Sequence, residues 1–150
     1  MIEVSRDVQV PPDRVFAVLS DGWSLGNWVV GASHIRAVDA GWPAVGNRVY
    51  HSVGPWPVSV EDFTEVMDVE PGRRLELDAH LSVAGAAHVT IALAPLPGGA
   101  TQITMAEEMV RGPGSLVPGV VQGVVLWPRN REALRRLEDM AVGRAGRSAA

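Results

Sequence analysis

Apolar residues near the end of the chain recur at steps of three and four, the period of an amphipathic helix. In Leu116–Val142 (LVPGVVQGVVLWPRNREALRRLEDMAV) the positions Leu126, Asn130, Ala133, Leu134, Leu137, Met140 and Ala141 share one face. Glu132, Arg135, Arg136 and Glu138 turn to water, with Glu132 and Arg136 an i,i+4 pair in the favourable order. A face this apolar needs something broad to lie against. Its polar exception is Asn130, and a buried amide must bond either the protein or a ligand. Pro128 lacks an N–H and its ring opposes the carbonyl of Val124. The pattern therefore predicts a kink and two segments, one near Leu116–Trp127 and a regular one from Arg129.

Upstream the period falls to two. Ile2–Val10 alternates, with Ile2, Val4 and Val8 on one side. PPDRVFAVLSDG reads as a short helix, with Pro12 in its first turn, Val15, Phe16 and Leu19 as its apolar face and Gly22 at its end. WSLGNWVVG is a loop or a broken helical turn. Strands then follow one another: Ser33–Asp39, Arg48–Val53, Val58–Glu70, Arg74–Leu81, Ala86–Ala94 and Thr101–Met109. Leu75, Leu77, Ala79 and Leu81 face inward, as do Val89, Ile91 and Leu93, and then Ile103 and Met105. Val58–Glu70 is long enough to predict a bulge, placed near Glu61–Asp62. PGRR is a tight turn with Gly72 set for positive φ. Strands joined by short turns favour an antiparallel meander. One helix covers only part of one face of a seven-stranded sheet, and the uncovered part leaves room for a ligand cavity.

Composition narrows the chemistry. At 150 residues, 47% hydrophobic and 20% charged, the chain is one ordinary globular domain with room for a core. A net charge of −4 gives no reason to expect nucleic acid as a partner. There is no cysteine, which excludes disulfides, thiolate catalysis and Cys-based metal sites. The apolar runs are too short to insert in a membrane, and the charged IEVSRDV is no signal peptide. The expectation is a bacterial-type cytoplasmic protein.

The order of elements carries a resemblance. VPPDRVFAVLSD, WSLGNWVVGA, GWPAVGNRVYHSVG, PGRRLEL, the strand ending in TMAEE and the terminal RNREALRRLEDMA together resemble the START-like (SRPBCC) superfamily. More narrowly, they resemble its polyketide cyclase/dehydrase and lipid-transport group. The resemblance spans nearly the whole chain. It implies an α+β helix-grip fold (START/Bet v 1-like): a seven-stranded antiparallel sheet wrapped around a long C-terminal helix, with an internal apolar cavity. Residues 1–143 would form the single domain and 144–150 a flexible tail, and Leu116–Trp127 would frame the cavity mouth. Aromatase/cyclases, lipid carriers and hormone receptors share this architecture, so it is specific for fold rather than function.

Candidate chemistry sits where alternation turns polar groups inward. Glu107 keeps register with Ile103 and Met105, so its carboxylate must either find an arginine or histidine or become a proton donor or acceptor. His51 keeps register with Val49 and Val53, and its imidazole suits acid–base work or orienting a ligand carbonyl. Against both stands a structural reading, a strand end that reaches solvent for Glu107 and a satisfied core residue for His51. His80 and His88 fall on the other face, and no histidine spacing fits a metal site, so neither metal nor cofactor is expected. Trp23, Trp28, Trp56 and Trp127 flank turns and helix starts where a cavity entrance would lie, and with Met105 and Asn130 they form the candidate ligand-binding set.

Three functions fit these residues. One is a carrier or sensor for a small hydrophobic ligand, whether aromatic, polyketide-like or lipid. The second is a cyclase/dehydratase-type enzyme, with Glu107 or His51 as base and Asn130 or a tryptophan N–H holding a carbonyl oxygen. The third is a ligand-responsive regulatory protein in which the loop Gly54–Pro57 or the kinked helix moves. The run VVQGVVLW is also apolar enough to support a homodimer.

Overall fold

The alternating stretches form strands and the period-3.6 stretch a helix, in the order β1 (Ile2–Val8), α1 (Pro12–Leu19), α2 (Leu25–Trp28), β2 (Ala32–Val38), β3 (Arg48–Val53), β4 (Val60–Glu70), β5 (Arg74–His80), β6 (Ala86–Leu96), β7 (Ala100–Arg111) and α3 (Gly119–Ala149). The computed structural model describes residues 1–30, 32–53, 60–80 and 85–149. Trp56, the Gly54–Pro57 loop and Leu81 lie outside the described residues.

The strands make one antiparallel sheet in the order β1-β7-β6-β5-β4-β3-β2. From β2 to β7 the chain is a meander of sequential neighbours, and β1 returns to pair with β7. Register stacks the inward residues in rows across the sheet. Val4, Met105, Ile91, Leu75 and Val69 form one row, and Ile2, Glu107, Val89, Leu77 and Val66 the next. These rows line the concave face, and α3 packs chiefly on its β1 and β7 side and against α1 and α2. The expected helix-grip arrangement of seven antiparallel strands and a long C-terminal helix is what forms.

Two local expectations are corrected. The break in β4 lies between Val66 and Asp68, whereas Glu61 and Asp62 pair regularly with β3. Val66 and Val69 both pack inward, and a spacing of three on a period-two strand requires an extra residue, supplied by exposed Met67. The second correction concerns α3, which is one helix from Gly119 to Ala149 with Pro128 inside it, not two segments. Packing of Ala133, Leu134, Leu137 and Ala141 into the core fixes the helix from the C-terminal side. At its C-terminal end α3 runs on to Ala149, with Arg144 hydrogen-bonding Asp21 and Ser24 in the segment between α1 and α2.

Gly22 shows how tightly the N-terminal helical segment meets the sheet. A Cβ there would lie 2.7 Å from Val38 and 2.9 Å from Val49, so only glycine allows the approach. Trp42, buried in the β2–β3 turn, donates its indole N–H to the carbonyl of Leu19 at 3.1 Å and satisfies an acceptor at the end of α1.

Candidate functional site

Two polar groupings interrupt the concave face. The first centres on Glu107, 2% exposed between Val89 and Ile2. Arg129 reaches both of its carboxylate oxygens, at 3.0 and 3.1 Å, and Asn130 donates to Oε2 at 2.7 Å. Arg129 also donates through Nε to the carbonyl of Val30, at 2.9 Å, so it ties α3 both to β7 and to the segment after α2. The fate of Asn130 is thus a bond within the protein, at 1% exposure. A buried carboxylate is tolerable when it is paired and hydrogen-bonded, and this one is engaged on both oxygens.

The second grouping lies on β3 and β4. His51 is 4% exposed, and its Nε2 stands 3.0 Å from Thr64 Oγ1. Its Nδ1 is buried with no hydrogen-bond partner. Asp62, the cross-strand neighbour of His51, is also buried and accepts a bond from the Phe63 N–H. Burial holds the His51 imidazole below its ordinary pKa; Asp62 raises it in part, and Arg36 lowers it further. Arg36 sits on the rim, bonding the Asp62 carbonyl at 3.3 Å and lying 3.7 Å from Glu61. Around the grouping the wall is apolar, with Val49, Val66, Leu75 and Leu77 buried beyond the principal contacts of α3.

His51 and Glu107 therefore share a face but not a site, since β4, β5 and β6 lie between their strands. The aromatic candidates also scatter. Trp28 is fully buried in the core with α2, and Met105 is buried in the row beside Glu107. Trp23 is exposed, as is Trp127, whose ring carries the Arg131 guanidinium 4.6 Å from its centroid. His80 lies on the convex face, stacked on Phe63 at 4.0 Å, and His88 lies near Glu76 on the same side.

Alternation alone could have flagged Asp62 and Thr64, which keep step with Val66, but the misplaced bulge hid them. Arg129 carries a weaker signal, as a charged neighbour of the inward-facing Asn130. Among the described residues no group of His, Asp and Glu could hold a metal ion, and no helix is long and apolar enough to cross a membrane. A surface groove of about 390 Å³ runs between α2 and α3, lined by Asn27, Asp139, Met140, Gly143 and Arg144, and no candidate residue borders it.

Comparison with solved structures places this geometry in a known fold. Protein NE0264 from Nitrosomonas europaea matches with a TM-score of 0.73 and 18% identity, covering 97% of this chain and 96% of its own. The Zhui aromatase/cyclase from Streptomyces sp. R1128 matches with a TM-score of 0.72 and 18% identity, over 96% of this chain and 94% of its own. Ara h 8.0201 follows the same path with a TM-score of 0.67 and 14% identity, over 95% of this chain and 97% of its own. Among curated proteins none shows significant sequence similarity to the chain. The family model for polyketide cyclase/dehydrase and lipid transport matches residues 1–141, and the chain belongs to that family.

Proposed function

We propose that the protein binds a small hydrophobic ligand against the concave wall of β3–β6 and acts as a carrier or sensor. The observation that carries this reading is the buried His51, whose Nδ1 lacks a partner within an apolar wall. An unsatisfied buried nitrogen is costly, and a ligand oxygen reaching it would remove that cost while the aliphatic wall takes the rest of the molecule. In this reading Glu107 and Asn130 hold α3 in place and do not touch ligand.

The enzyme reading rests on the same imidazole. Held uncharged by burial, His51 could accept a proton α to a ligand carbonyl, as a cyclase/dehydratase would require. Glu107 is less suited to that step, because its oxygens already accept bonds from Arg129 and Asn130.

A tryptophan-fluorescence titration with aromatic polyketide-like and fatty ligands, followed by recovery of each ligand, separates the two. Saturable quenching with ligand returned unchanged supports the carrier or sensor. Altered ligand, lost in His51→Gln and retained in Glu107→Gln, supports the enzyme with His51 as base. No saturable binding by any ligand rejects both.

A further inference from the structure

The charges around the concave face say which hydrophobic molecules it can take. The chain contains no lysine, so arginine is its only permanent side-chain cation. Among the described residues, each arginine that reaches the concave side is already engaged. Arg6 is paired with Glu138 at 2.9 Å, Arg129 with Glu107 and the Val30 carbonyl, and Arg36 with the Asp62 carbonyl and Glu61 on the rim. His51 adds no cation at neutral pH, because burial keeps its imidazole uncharged. Two carboxylates, Asp62 and Glu107, are instead buried on this face. A ligand carboxylate placed here would lose its water, and the nearest cation, Arg36 on the rim, is already shared with the Asp62 carbonyl and Glu61.

Resting on the ligand-binding reading above, we infer that the bound molecule is uncharged and carries a hydroxyl group that hydrogen-bonds Nδ1 of His51. Nε2 faces the Thr64 hydroxyl, which can either donate or accept. Nδ1 is correspondingly either an acceptor or a donor, and a hydroxyl satisfies both cases, whereas a ketone satisfies only one. The chemical class is thus a phenol or alcohol on an apolar skeleton, with free fatty or aromatic acids bound more weakly.

The test uses one skeleton with three heads: 2-naphthol, 2-methylnaphthalene and 2-naphthoate, titrated at pH 7 by tryptophan fluorescence and calorimetry. The expected result is 2-naphthol binding about tenfold more tightly than 2-methylnaphthalene, the worth of one good hydrogen bond, and 2-naphthoate at least about tenfold more weakly than either. In His51→Phe the advantage of 2-naphthol over 2-methylnaphthalene should vanish while the hydrocarbon still binds. If that variant does not fold, the nitrogen-15 shift of His51 Nδ1 in the unaltered protein decides, and it should move with 2-naphthol and not with 2-methylnaphthalene. Equal binding of naphthol and methylnaphthalene overturns the inference and leaves the ligand-binding reading standing. So does tight naphthoate binding, above all if Arg36→Gln abolishes it. Failure of all three to bind removes the reading and the inference with it.

Discussion

The two halves of α3 share one helix and live in different surroundings. After Pro128 the helix buries Asn130, Ala133, Leu134, Leu137 and Ala141, and Glu138 and Arg144 add ion pairs to Arg6 and Asp21. Before it, Val120 is 85% exposed and Val124 72%, with Val121, Val125 and Trp127 exposed beside them. Gly123, where an added Cβ would lie 3.3 Å from Ile2, and half-buried Leu126 are where the leading half approaches the fold. The Glu107–Arg129–Asn130 clamp sits at the boundary. The helix is held at one end and cantilevered at the other, and apolar content alone does not say which is which.

The contrast can be broken most forcefully from the docked side. Leu137→Ala should cost about 4 kcal/mol in urea unfolding, the upper part of the range for a fully buried leucine. A loss below about 1 kcal/mol would mean that the docked half does not hold the fold. Glu107→Ala, which leaves Arg129 and Asn130 without their acceptor, should cost about 3 kcal/mol, moderated by the partial exposure of Arg129. Amide exchange should then accelerate in the leading half of α3 before it does in the docked half.

The wall beyond the helix sharpens the comparison through pH. The depressed pKa of His51 means that the folded protein resists a proton which the unfolded chain accepts. Stability should be full above about pH 6.5 and fall as the pH drops below it, by at most about 1.4 kcal/mol per pH unit until the folded pKa is passed. In His51→Phe that slope should disappear from the melting temperature measured against pH. Arg144→Ala should cost about 1 kcal/mol. Burial pushes the Asp21 carboxyl up, but bonds from Ser24 and Arg144 outweigh it and hold the pKa low. The contribution of Asp21 is therefore present above about pH 4 and lost as the pH falls through its folded value, which acid titration of the variant against the parent would register. Val124→Ala should change stability by less than about 0.5 kcal/mol, and a larger loss would show that the leading half is packed after all.

Most of this architecture is legible in the sequence because alternation and helical period report burial directly. The succession of strands along the chain, the inward set Leu75, Leu77, Val89, Ile91 and Met105, and the docked face of α3 follow from periodicity. The inward orientation of Glu107 and His51 follows from the same register. What periodicity cannot report is pairing across sequence distance. Arg129 meeting Glu107 depends on how α3 crosses β7, and Arg144 meeting Asp21 on how the end of that helix passes α1. Nor does a run such as VVQGVVLW disclose whether its valines are covered, since helical spacing gives relative faces and not the presence of a neighbour. Pro128 misleads for a related reason. Local chemistry argues for a break there, and tertiary packing on one side carries the helix through.

The pairing of β1 with β7 also bears on how the molecule is made. Ser5 and Thr104 touch across the sheet although 99 residues separate them along the chain. During synthesis β1 emerges well before β7 and waits, an open edge, until the intervening strands have followed. The β2–β6 meander can assemble as its hairpins appear, whereas closing β7 onto β1 spans all the strands between them. Maturation on the order of milliseconds to seconds, the range for folds dominated by distant pairings, is the expected consequence. The final, rate-setting event would join a segment to one synthesised 99 residues after it.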